Sequence, residues 1–474
     1  MTMSTIVPVH INATPQQVFS RLGPRPLIAL LESSKIMPEL SGWSYVTGPA
    51  LATLETRGNL TALTGHDEES LKGPLITWRR PFDGISDILS CCAMMNSQPQ
   101  ARPEGLKFAA GLVGHLGYDL ARQIERLPEL AHQDPSLPDL RLHVVDHLLA
   151  FDHAAQQWYF CTQAMPWVSP KERTALWSRT LAQAQQAHSE PVASFEAGPL
   201  RPRTAKNIYL EQVEKLLGYI AAGDIFQANL SHRLEGPFSG DAFALYQEIC
   251  RLNPAPFAAY IEAEDFTLAS VSPERFLKRT GQTVWAHPIK GTRPRGPDPS
   301  SDKAQRQNLI QSEKDRAENL MIVDLMRNDL GRVAQTGTVH TEALFRIEAH
   351  PSVWQMVSTI KAQLSKDTSA IDLLKACWPP GSMTGAPKVR AMEIIEALEP
   401  VRRGPYAGAI GYFDISGDLD LSVVIRTAIV SGQRVMLQLG GAVVADSNPE
   451  AELAETYAKG KNLLRVLTPE NPTD

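Results

Sequence analysis

The amino-acid sequence predicts a large α/β protein of two lobes. Its 474 residues exceed one ordinary domain, and a hydrophobic fraction of 43% is enough for a sizeable core. Apolar runs typical of strands alternate with segments of helical period in both halves of the chain. A stretch rich in proline and glycine at 189–203 interrupts this alternation. We therefore expect an N-terminal lobe over 1–195, a second lobe over 200–467 and a frayed tail at 468–474.

The first lobe mixes both kinds of element. Short apolar runs at 142–145 and 158–161 predict strands, and apolar residues at helical spacing predict a helix over 171–187. The second lobe continues the alternation with longer helices. In it, helices are predicted at 205–222, 312–333, 388–398 and about 449–466, and strands at 268–272 and 284–287.

Charge and cysteine content narrow the class of protein. The net charge of -6, from 46 basic and 52 acidic residues, argues against nucleic acid as an obligate partner. The five cysteines are too scattered for a disulfide framework and favour a reducing compartment. No stretch approaches 18 uncharged apolar residues, and the first residues have no signal-peptide pattern. We expect a cytoplasmic protein without a membrane partner.

Two predicted helices carry acidic residues on one face. Asp315 and Glu318 are three positions apart, and Glu452, Glu455 and Lys459 follow the same rule near the C-terminus. Two such faces suit a hard divalent cation such as Mg²⁺, which takes oxygen ligands. The commoner alternative is a solvated surface, with Glu455 and Lys459 as an ordinary ion pair.

A single lysine stands out in the run from Ala286 to Arg295. Lys290 follows a strand-like segment and precedes Gly291, with Pro288 and Pro294 restricting the backbone on both sides. A lysine held at such a junction and desolvated in a cleft can lose its proton and act as a nucleophile. Most loop lysines are simply solvated, so the residues alone leave both interpretations open.

Two glycine-containing segments, 379–387 and Gly440-Gly441, are predicted to be loops next to helices. Such loops can present backbone N–H groups to an anion, although as isolated motifs they are more often tight turns. They match neither the P-loop nor the dinucleotide fingerprint. No cysteine lies in a Gly-x-Cys-x-Gly elbow, so we expect no thiolate nucleophile in this chain.

Together these segments resemble the chorismate-utilising enzymes. The matching blocks cover nearly all of the second half in the family's order and lie at 272–276, 288–292, 315–329, 385–392, 408–412, 424–427 and 452–456. The first half is similar more loosely, at 30–33 and 114–119. Lys290 is the decisive position, because the aminodeoxychorismate synthases of this family read Pro-Ile-Lys-Gly-Thr there. Anthranilate synthases typically have alanine in place of that lysine.

The resemblance implies a fold and a metal site. The fold is one α/β unit with two β-sheets packed between helical layers, with a chorismate-binding catalytic region over 200–467. Glu318 and Glu455 would be direct Mg²⁺ ligands, and Asp315 and Glu452 would hold its waters. Lys459 would offset the repulsion among these carboxylates.

The resemblance also implies how substrate is bound and converted. The family's positions for a substrate carboxylate and a binding hydroxyl correspond here to Tyr406, Arg426, Gly440, Gly441 and Ser382. Lys290 would add to the chorismate ring at C2, and ammonia would then replace it at C4. The departing hydroxide needs a proton donor, for which Glu274 is the candidate general acid and base.

Two positions depart from the family pattern. Gln355 stands where the family usually has a histidine linked to later steps on the ring, which argues against an anthranilate-forming lyase. Ala442 replaces an expected third glycine and adds a methyl group near the substrate loop.

These implications define the expected function and its alternatives. The chain would be a transferase that makes 4-amino-4-deoxychorismate for 4-aminobenzoate and folate, with ammonia from a separate glutamine amidotransferase subunit. The alternatives are an anthranilate synthase component I and a regulatory module that only binds an amino acid. A tryptophan pocket is expected near 30–33 in the first lobe, where a plain core segment is equally compatible with the sequence.

Overall fold

The structure, a computed structural model, describes residues 5–23, 25–37, 40–66, 73–95, 101–165, 170–186, 193–350 and 353–468. Part of the sequence-predicted boundary and nearly all of the predicted frayed tail lie outside these residues. The helices are α1 Pro15–Arg21, α2 Pro81–Met95, α3 Pro170–Gln185, α4 Lys206–Ala221, α5 Ala242–Leu252, α6 Pro299–Gln311, α7 Glu313–Gly331, α8 Ala370–Cys377, α9 Lys388–Leu398 and α10 Pro449–Leu467.

The strands are β1 Thr5–Val9, β2 Ala29–Glu32, β3 Trp43–Thr47, β4 Ala52–Arg57, β5 Leu60–Gly65, β6 Gly73–Trp78, β7 Gly111–Leu116, β8 Leu140–Val145, β9 His147–Asp152, β10 Gln157–Thr162, β11 Phe195–Ala197, β12 Arg201–Pro202, β13 Gln227–Gly240, β14 Phe257–Glu262, β15 Thr267–Ser272, β16 Arg275–Thr280, β17 Thr283–His287, β18 Ile289–Pro294, β19 His340–Ala349, β20 Val353–Gln363, β21 Gly385–Ala386, β22 Ala409–Asp414, β23 Leu419–Val423, β24 Thr427–Ser431 and β25 Arg434–Val443.

These strands form two large sheets. The first has the order β1-β10-β9-β3-β2-β14-β15-β24-β25-β13-β11, with β12 and β21 beside β13. The second has the order β18-β20-β17-β16-β23-β22-β7-β8-β4-β5-β6, with β19 beside β20. Strands from both predicted lobes share both sheets, through the pairs β2–β14 and β7–β22. The division near 195–200 stays a sequence-based prediction.

The hydrophobic core has three main layers, which confirms the expected fold class. Between the sheets, Phe108 stacks on Tyr412 with ring centroids 4.5 Å apart, and Tyr45 contacts both rings edge-on. The outer face of the first sheet packs against α1, α3, α5 and α10, and that of the second against α2, α7 and α8. Burial of apolar surface on both faces of each sheet is the main stabilising contribution in such an arrangement. No helix in the described ranges is long and apolar enough to cross a membrane.

Local sequence fixes the start of the two acidic helices. Ser312 caps α7, because its hydroxyl accepts a hydrogen bond from the Asp315 N–H at 3.2 Å. Asn448 caps α10 in the same way, and Pro449 occupies its first turn. The predicted helix at 312–333 is therefore confirmed as α7.

Two of the places where the chain passes from one sheet to the other lie next to each other. It leaves the first sheet after β15 and enters the second at β16, and it returns between β23 and β24. The Val423 N–H donates to the Glu274 carbonyl at 3.0 Å, and the Val271 N–H donates to the Arg426 carbonyl at 3.1 Å. Glu274 and Arg426 are thus held at the line where the sheets meet.

One sequence-based prediction about the glycines is wrong. Gly440 and Gly441 lie inside β25 and not in a loop, because their backbone pairs with Ser231 and Leu230 of β13. The segment 379–387 is largely irregular as expected, with a 3-10 turn at Gly381–Met383 and the short β21.

Candidate active site

Lys290, Glu274 and Ser382 meet at the junction of the sheets, and we call these residues the nucleophile region. The Lys290 ammonium, on β18, donates to the Ser382 carbonyl at 3.2 Å. The Ser382 hydroxyl and the Ile289 N–H lie beside the Glu274 carboxylate and favour its charged form. Glu274 is only 5% exposed. The structure therefore brings the expected nucleophile and the expected proton donor together around one serine.

The two ionisable groups of this region have shifted pKa values. Desolvation lowers the pKa of Lys290 below its ordinary value, and the negative charges of Glu318 and Glu274 only partly offset that effect. Desolvation raises the pKa of Glu274 to about 7, against the opposing effects of Ser382 and Lys290. Burial thereby favours a neutral amine at Lys290 and a protonated carboxyl at Glu274, the two forms that nucleophilic attack with acid assistance requires.

Arg426 extends this region with a cationic group. Burial lowers its pKa to about 10, while the charge of Glu274 favours the protonated form. Its backbone φ is +50°, an uncommon value for a residue with a side chain. Within the described part of the chain, its guanidinium group interacts with Glu274 through charge and not through a hydrogen bond. Its N–H donors remain available to a substrate anion.

Glycine is required at position 440 by close neighbours. A Cβ placed there would lie 2.5 Å from the Tyr406 hydroxyl and 3.0 Å from Asn229 Nδ2. Tyr406 is buried, and desolvation raises its pKa to about 12, so its hydroxyl stays protonated and can donate. A Cβ placed on the next residue, Gly441, would lie 3.4 Å from Glu452 Oε2. Space free of side chains therefore separates the tyrosine from the acidic residues of α10.

Helices α7 and α10 face each other with three carboxylates, Glu318, Glu452 and Glu455, which we call the carboxylate region. Glu455 pairs with Lys459 at 2.8 Å, and the Lys459 ammonium also lies 3.5 Å from the Gly440 carbonyl. The i, i+4 ion pair considered from the sequence therefore forms, and it forms at the rim of the site.

The fourth predicted acid, Asp315, turns away from the other three. Its carboxylate pairs with Arg293 of β18 at 2.6 Å. Glu452 is almost fully buried, and its Oε1 accepts a 2.6 Å hydrogen bond from the Ser447 hydroxyl. Its Oε2 has no hydrogen-bond partner among the residues that the structure describes.

The pKa values of these acids reflect their different surroundings. Burial raises the pKa of Glu318, although Lys290 and Lys314 oppose the shift. Burial acts in the same direction on Glu455, but Lys459, Lys314 and Lys290 together outweigh it and lower its pKa. Like charges that raise each other's pKa gain most from a bound cation.

The chemistry of this donor set fits a hard cation. In the described ranges, no three ligating side chains yet lie close enough together to share one ion. However, the buried Glu452 has an oxygen without a partner, and a lysine ammonium lies between Glu452 and Glu318. Oxygen ligands of this kind match the preference of Mg²⁺.

The sequence interpretation missed three residues of the site. Lys314 lies beside the carboxylates, Arg293 neutralises Asp315, and Asn229 meets Tyr406 near Gly440. Lys314 directly precedes Asp315 in the sequence, so a charge next to an acidic pair was the available signal. Asn229 carries no local signal, because only strand pairing brings it to the site.

Gln355 lies next to the nucleophile strand. It is 2% exposed, its Cα is opposite Thr292 of β18, and its Oε1 has no hydrogen-bond partner in the described residues. An uncharged amide thus occupies the position where the resemblance implies a histidine. Ala442 is buried opposite Asn229 in β25.

The sequence is similar to those of known proteins over most of its length. The sequence profile of the chorismate binding enzymes matches residues 62–465. An aminodeoxychorismate synthase component 1 from Escherichia coli K12 is 37% identical over 98% of this chain and all of its own length. An anthranilate synthase component 1 from Mycolicibacterium smegmatis is 36% identical over 96% of this chain and 88% of its own length.

A solved structure has the same architecture. The crystal structure of anthranilate synthase component I from Streptococcus pneumoniae superposes with a TM-score of 0.78 and 28% identity. The match covers 91% of this chain and 93% of that one. With the profile match over most of the sequence and relatives similar along nearly their whole length, the chain belongs to the chorismate-binding enzyme family.

Proposed function

We propose that the chain converts chorismate and ammonia into 4-amino-4-deoxychorismate, which makes it an amino-group transferase. The observation that carries this proposal is Lys290, an amine of lowered pKa beside the buried acid Glu274. The similarity to an aminodeoxychorismate synthase component 1 supports the same assignment. The product would feed 4-aminobenzoate and folate synthesis.

In the first step, the Lys290 amine adds to C2 of the ring. The diene shifts, and the C–O bond at C4 breaks. Glu274 gives its proton to the departing hydroxide, which leaves as water. Dividing one difficult substitution into two easier ones is the usual advantage of covalent catalysis.

In the second step, ammonia adds to C4 and the diene shifts back. The bond between C2 and Lys290 breaks, and Glu274, now a carboxylate, takes a proton from the incoming nitrogen and returns it to the site. The net change exchanges hydroxide for an amino group and releases one water. Arg426 and Tyr406 would hold a substrate carboxylate throughout, beside the backbone of Gly440 and the open space left by Gly441.

A magnesium ion is part of the proposal. Glu318 and Glu455 would ligate it directly, and Glu452 would hold its waters. Asp315 would join Glu452 in that role by releasing Arg293, with which it pairs at 2.6 Å. When bound, Mg²⁺ would neutralise a substrate carboxylate that otherwise enters a field of negative charge. The Lys459 ammonium group, at the rim of the site, would also neutralise part of this negative charge.

Ammonia would come from a separate glutamine amidotransferase subunit. The similarity to a protein named component 1 is consistent with a second component. We expect the purified chain to turn over chorismate with ammonium and not with glutamine, because none of its cysteines lies in an elbow suited to a glutamyl thioester. Product formation from glutamine by the chain alone would contradict this.

Anthranilate formation is the alternative activity, and the similarity to anthranilate synthases keeps it open. Lys290 and Gln355 both argue against it. Mass spectrometry of the product from chorismate, ammonium and Mg²⁺ separates the two, since anthranilate lacks the pyruvyl group that aminodeoxychorismate retains. No turnover of chorismate would favour the third interpretation, a regulatory module.

A second ligand site is proposed in the N-terminal part. Leu31, Glu32 and Ser33 line a cavity of about 560 Å³, together with Trp43 and Tyr412. A cavity of this size accommodates a small organic ligand. We propose tryptophan as its occupant, and calorimetry without heat of binding at millimolar tryptophan would dispose of that assignment.

A further inference from the structure

A lysine lies between the two acidic helices. Lys314 Nζ is 3.5 Å from Glu452 Oε1 on α10 and 3.9 Å from Glu318 Oε1 on α7. Within the described ranges, no other cationic side chain lies within ion-pair distance of either carboxylate. The ammonium group therefore spans the gap that a cation shared by the two helices would have to enter.

Lys314 neutralises only part of the negative charge of the two carboxylates beside this gap. Glu452 has a side chain that is 3% exposed, and its Oε2 has no hydrogen-bond partner among the described residues. A buried carboxylate with an unsatisfied oxygen is unfavourable, so the site retains affinity for a cation that makes shorter contacts. Ion pairs of 3.5 Å and 3.9 Å are long and weak by comparison.

Lys314 is also free to leave. Its side chain is 48% exposed, and its flexible stem allows the ammonium group to move into solvent without disturbing the core. The same residue can therefore fill the gap in one state and vacate it in another.

We propose that Lys314 is a displaceable counter-ion of the magnesium site. It neutralises Glu318 and Glu452 while no metal is bound, and it moves into solvent when Mg²⁺, held directly by Glu318 and through water by Glu452, takes its place between the two helices. Lys314 then sets the Mg²⁺ concentration at which the chain loads, without being a ligand. This inference rests on the magnesium role proposed above.

Direct Mg²⁺ binding to the purified chain tests the proposal without any assay of activity. Calorimetry with magnesium chloride at constant pH should give a dissociation constant about 3- to 10-fold lower for Lys314→Gln. In this variant Mg²⁺ no longer has to break the ion pairs of Lys314 with the two glutamates, and it is no longer repelled by the ammonium group. Lys314→Arg keeps the charge and should bind Mg²⁺ no more tightly than the wild type. The Arg variant also keeps the proposal testable if Lys314→Gln does not fold.

Lys206→Gln is the matched control. Lys206 pairs with Glu450 on the first turn of α10 at 2.9 Å, and both side chains are more than half exposed. This variant removes the same charge from a neighbouring ion pair, so its Mg²⁺ affinity should equal that of the wild type. Thermal unfolding adds a second readout, since saturating Mg²⁺ should raise the melting temperature of Lys314→Gln more than that of the wild type.

The outcomes are distinguishable. A wild type that binds Mg²⁺ while Lys314→Gln binds it equally or more weakly overturns the counter-ion role and leaves the metal site intact. A tightening of equal size in Lys206→Gln would reduce the effect to overall charge and also overturns it. A wild type that binds no Mg²⁺ at millimolar concentration overturns the magnesium role and the counter-ion role together.

Discussion

The nucleophile region and the carboxylate region differ in how they treat charge. In the nucleophile region, burial drives Lys290 and Glu274 toward their neutral forms. In the carboxylate region, Glu455 is 48% exposed and has Lys459 beside it, and its pKa is lowered. Covalent chemistry needs a neutral amine and a proton to give, whereas cation binding needs carboxylates that stay ionised. The nucleophile region meets the first need through burial. In the carboxylate region Glu455 meets the second, whereas burial raises the pKa of Glu318, whose ionised form gains from a bound cation.

Lys290→Ala is the change with the largest expected effect. Formation of aminodeoxychorismate should fall by at least about 10³-fold, because the covalent route needs this amine. Residual product should come from direct attack of ammonia at C2. The fold and Mg²⁺ binding should persist, and near-normal product from a folded variant would contradict the mechanism.

The same region predicts a trappable intermediate. An adduct between chorismate and the wild type should appear by mass spectrometry of the quenched protein and should be absent from Lys290→Ala. At constant free ammonia, activity should rise with pH as Lys290 deprotonates, and the lowered pKa places that rise below the range of an ordinary lysine.

Glu274→Gln should lower turnover by about 10²- to 10⁴-fold, the range for loss of a general acid. The pH profile is the sharper measurement. The acid acts while protonated, so a pKa of about 7 predicts that the rise set by Lys290 is followed by a decline above that value, which makes the wild-type profile bell-shaped. The variant should lose this decline, and a profile that keeps it would assign the proton donor elsewhere.

Glu318→Gln and Glu455→Gln test the other region and should have a smaller, conditional effect. Each removes one charged ligand, so activity should fall strongly at limiting Mg²⁺ and recover in part when the Mg²⁺ concentration rises by about 10- to 100-fold. Normal turnover at limiting Mg²⁺ in either variant would contradict the role of that glutamate as a Mg²⁺ ligand.

The two regions also differ in how far the sequence could predict them. The acids of α7 and α10 lie on long helices with clear caps, so spacing alone places them on shared faces. The side to which Asp315 turns could not be predicted, because Arg293 comes from a strand that only the tertiary structure brings near.

The nucleophile region depended on the resemblance instead. Lys290, Glu274 and Ser382 are far apart in the chain and lie on a strand, a crossover and a turn. The sequence wrongly predicted a loop at Gly440 and Gly441, because two adjacent glycines usually indicate a flexible turn. Here they lie in a strand, and glycine is needed because the Tyr406 hydroxyl leaves no room for a side chain at position 440.

The paired crossovers constrain how this chain can vary. Glu274 and Arg426 are reached by connections of two and three residues between strands of different sheets, and each is hydrogen-bonded to the strand beside the other. A single inserted residue in either connection would shift the register of the following strand by one residue. Every side chain of that strand would then point to the opposite face of the sheet. The insertion would aim the acid or the guanidinium away from the ring and place core side chains in water. Insertions should therefore be tolerated at hairpin tips such as Gly432 and rejected at these two short connections, which a library of one-residue insertions across the chain can map.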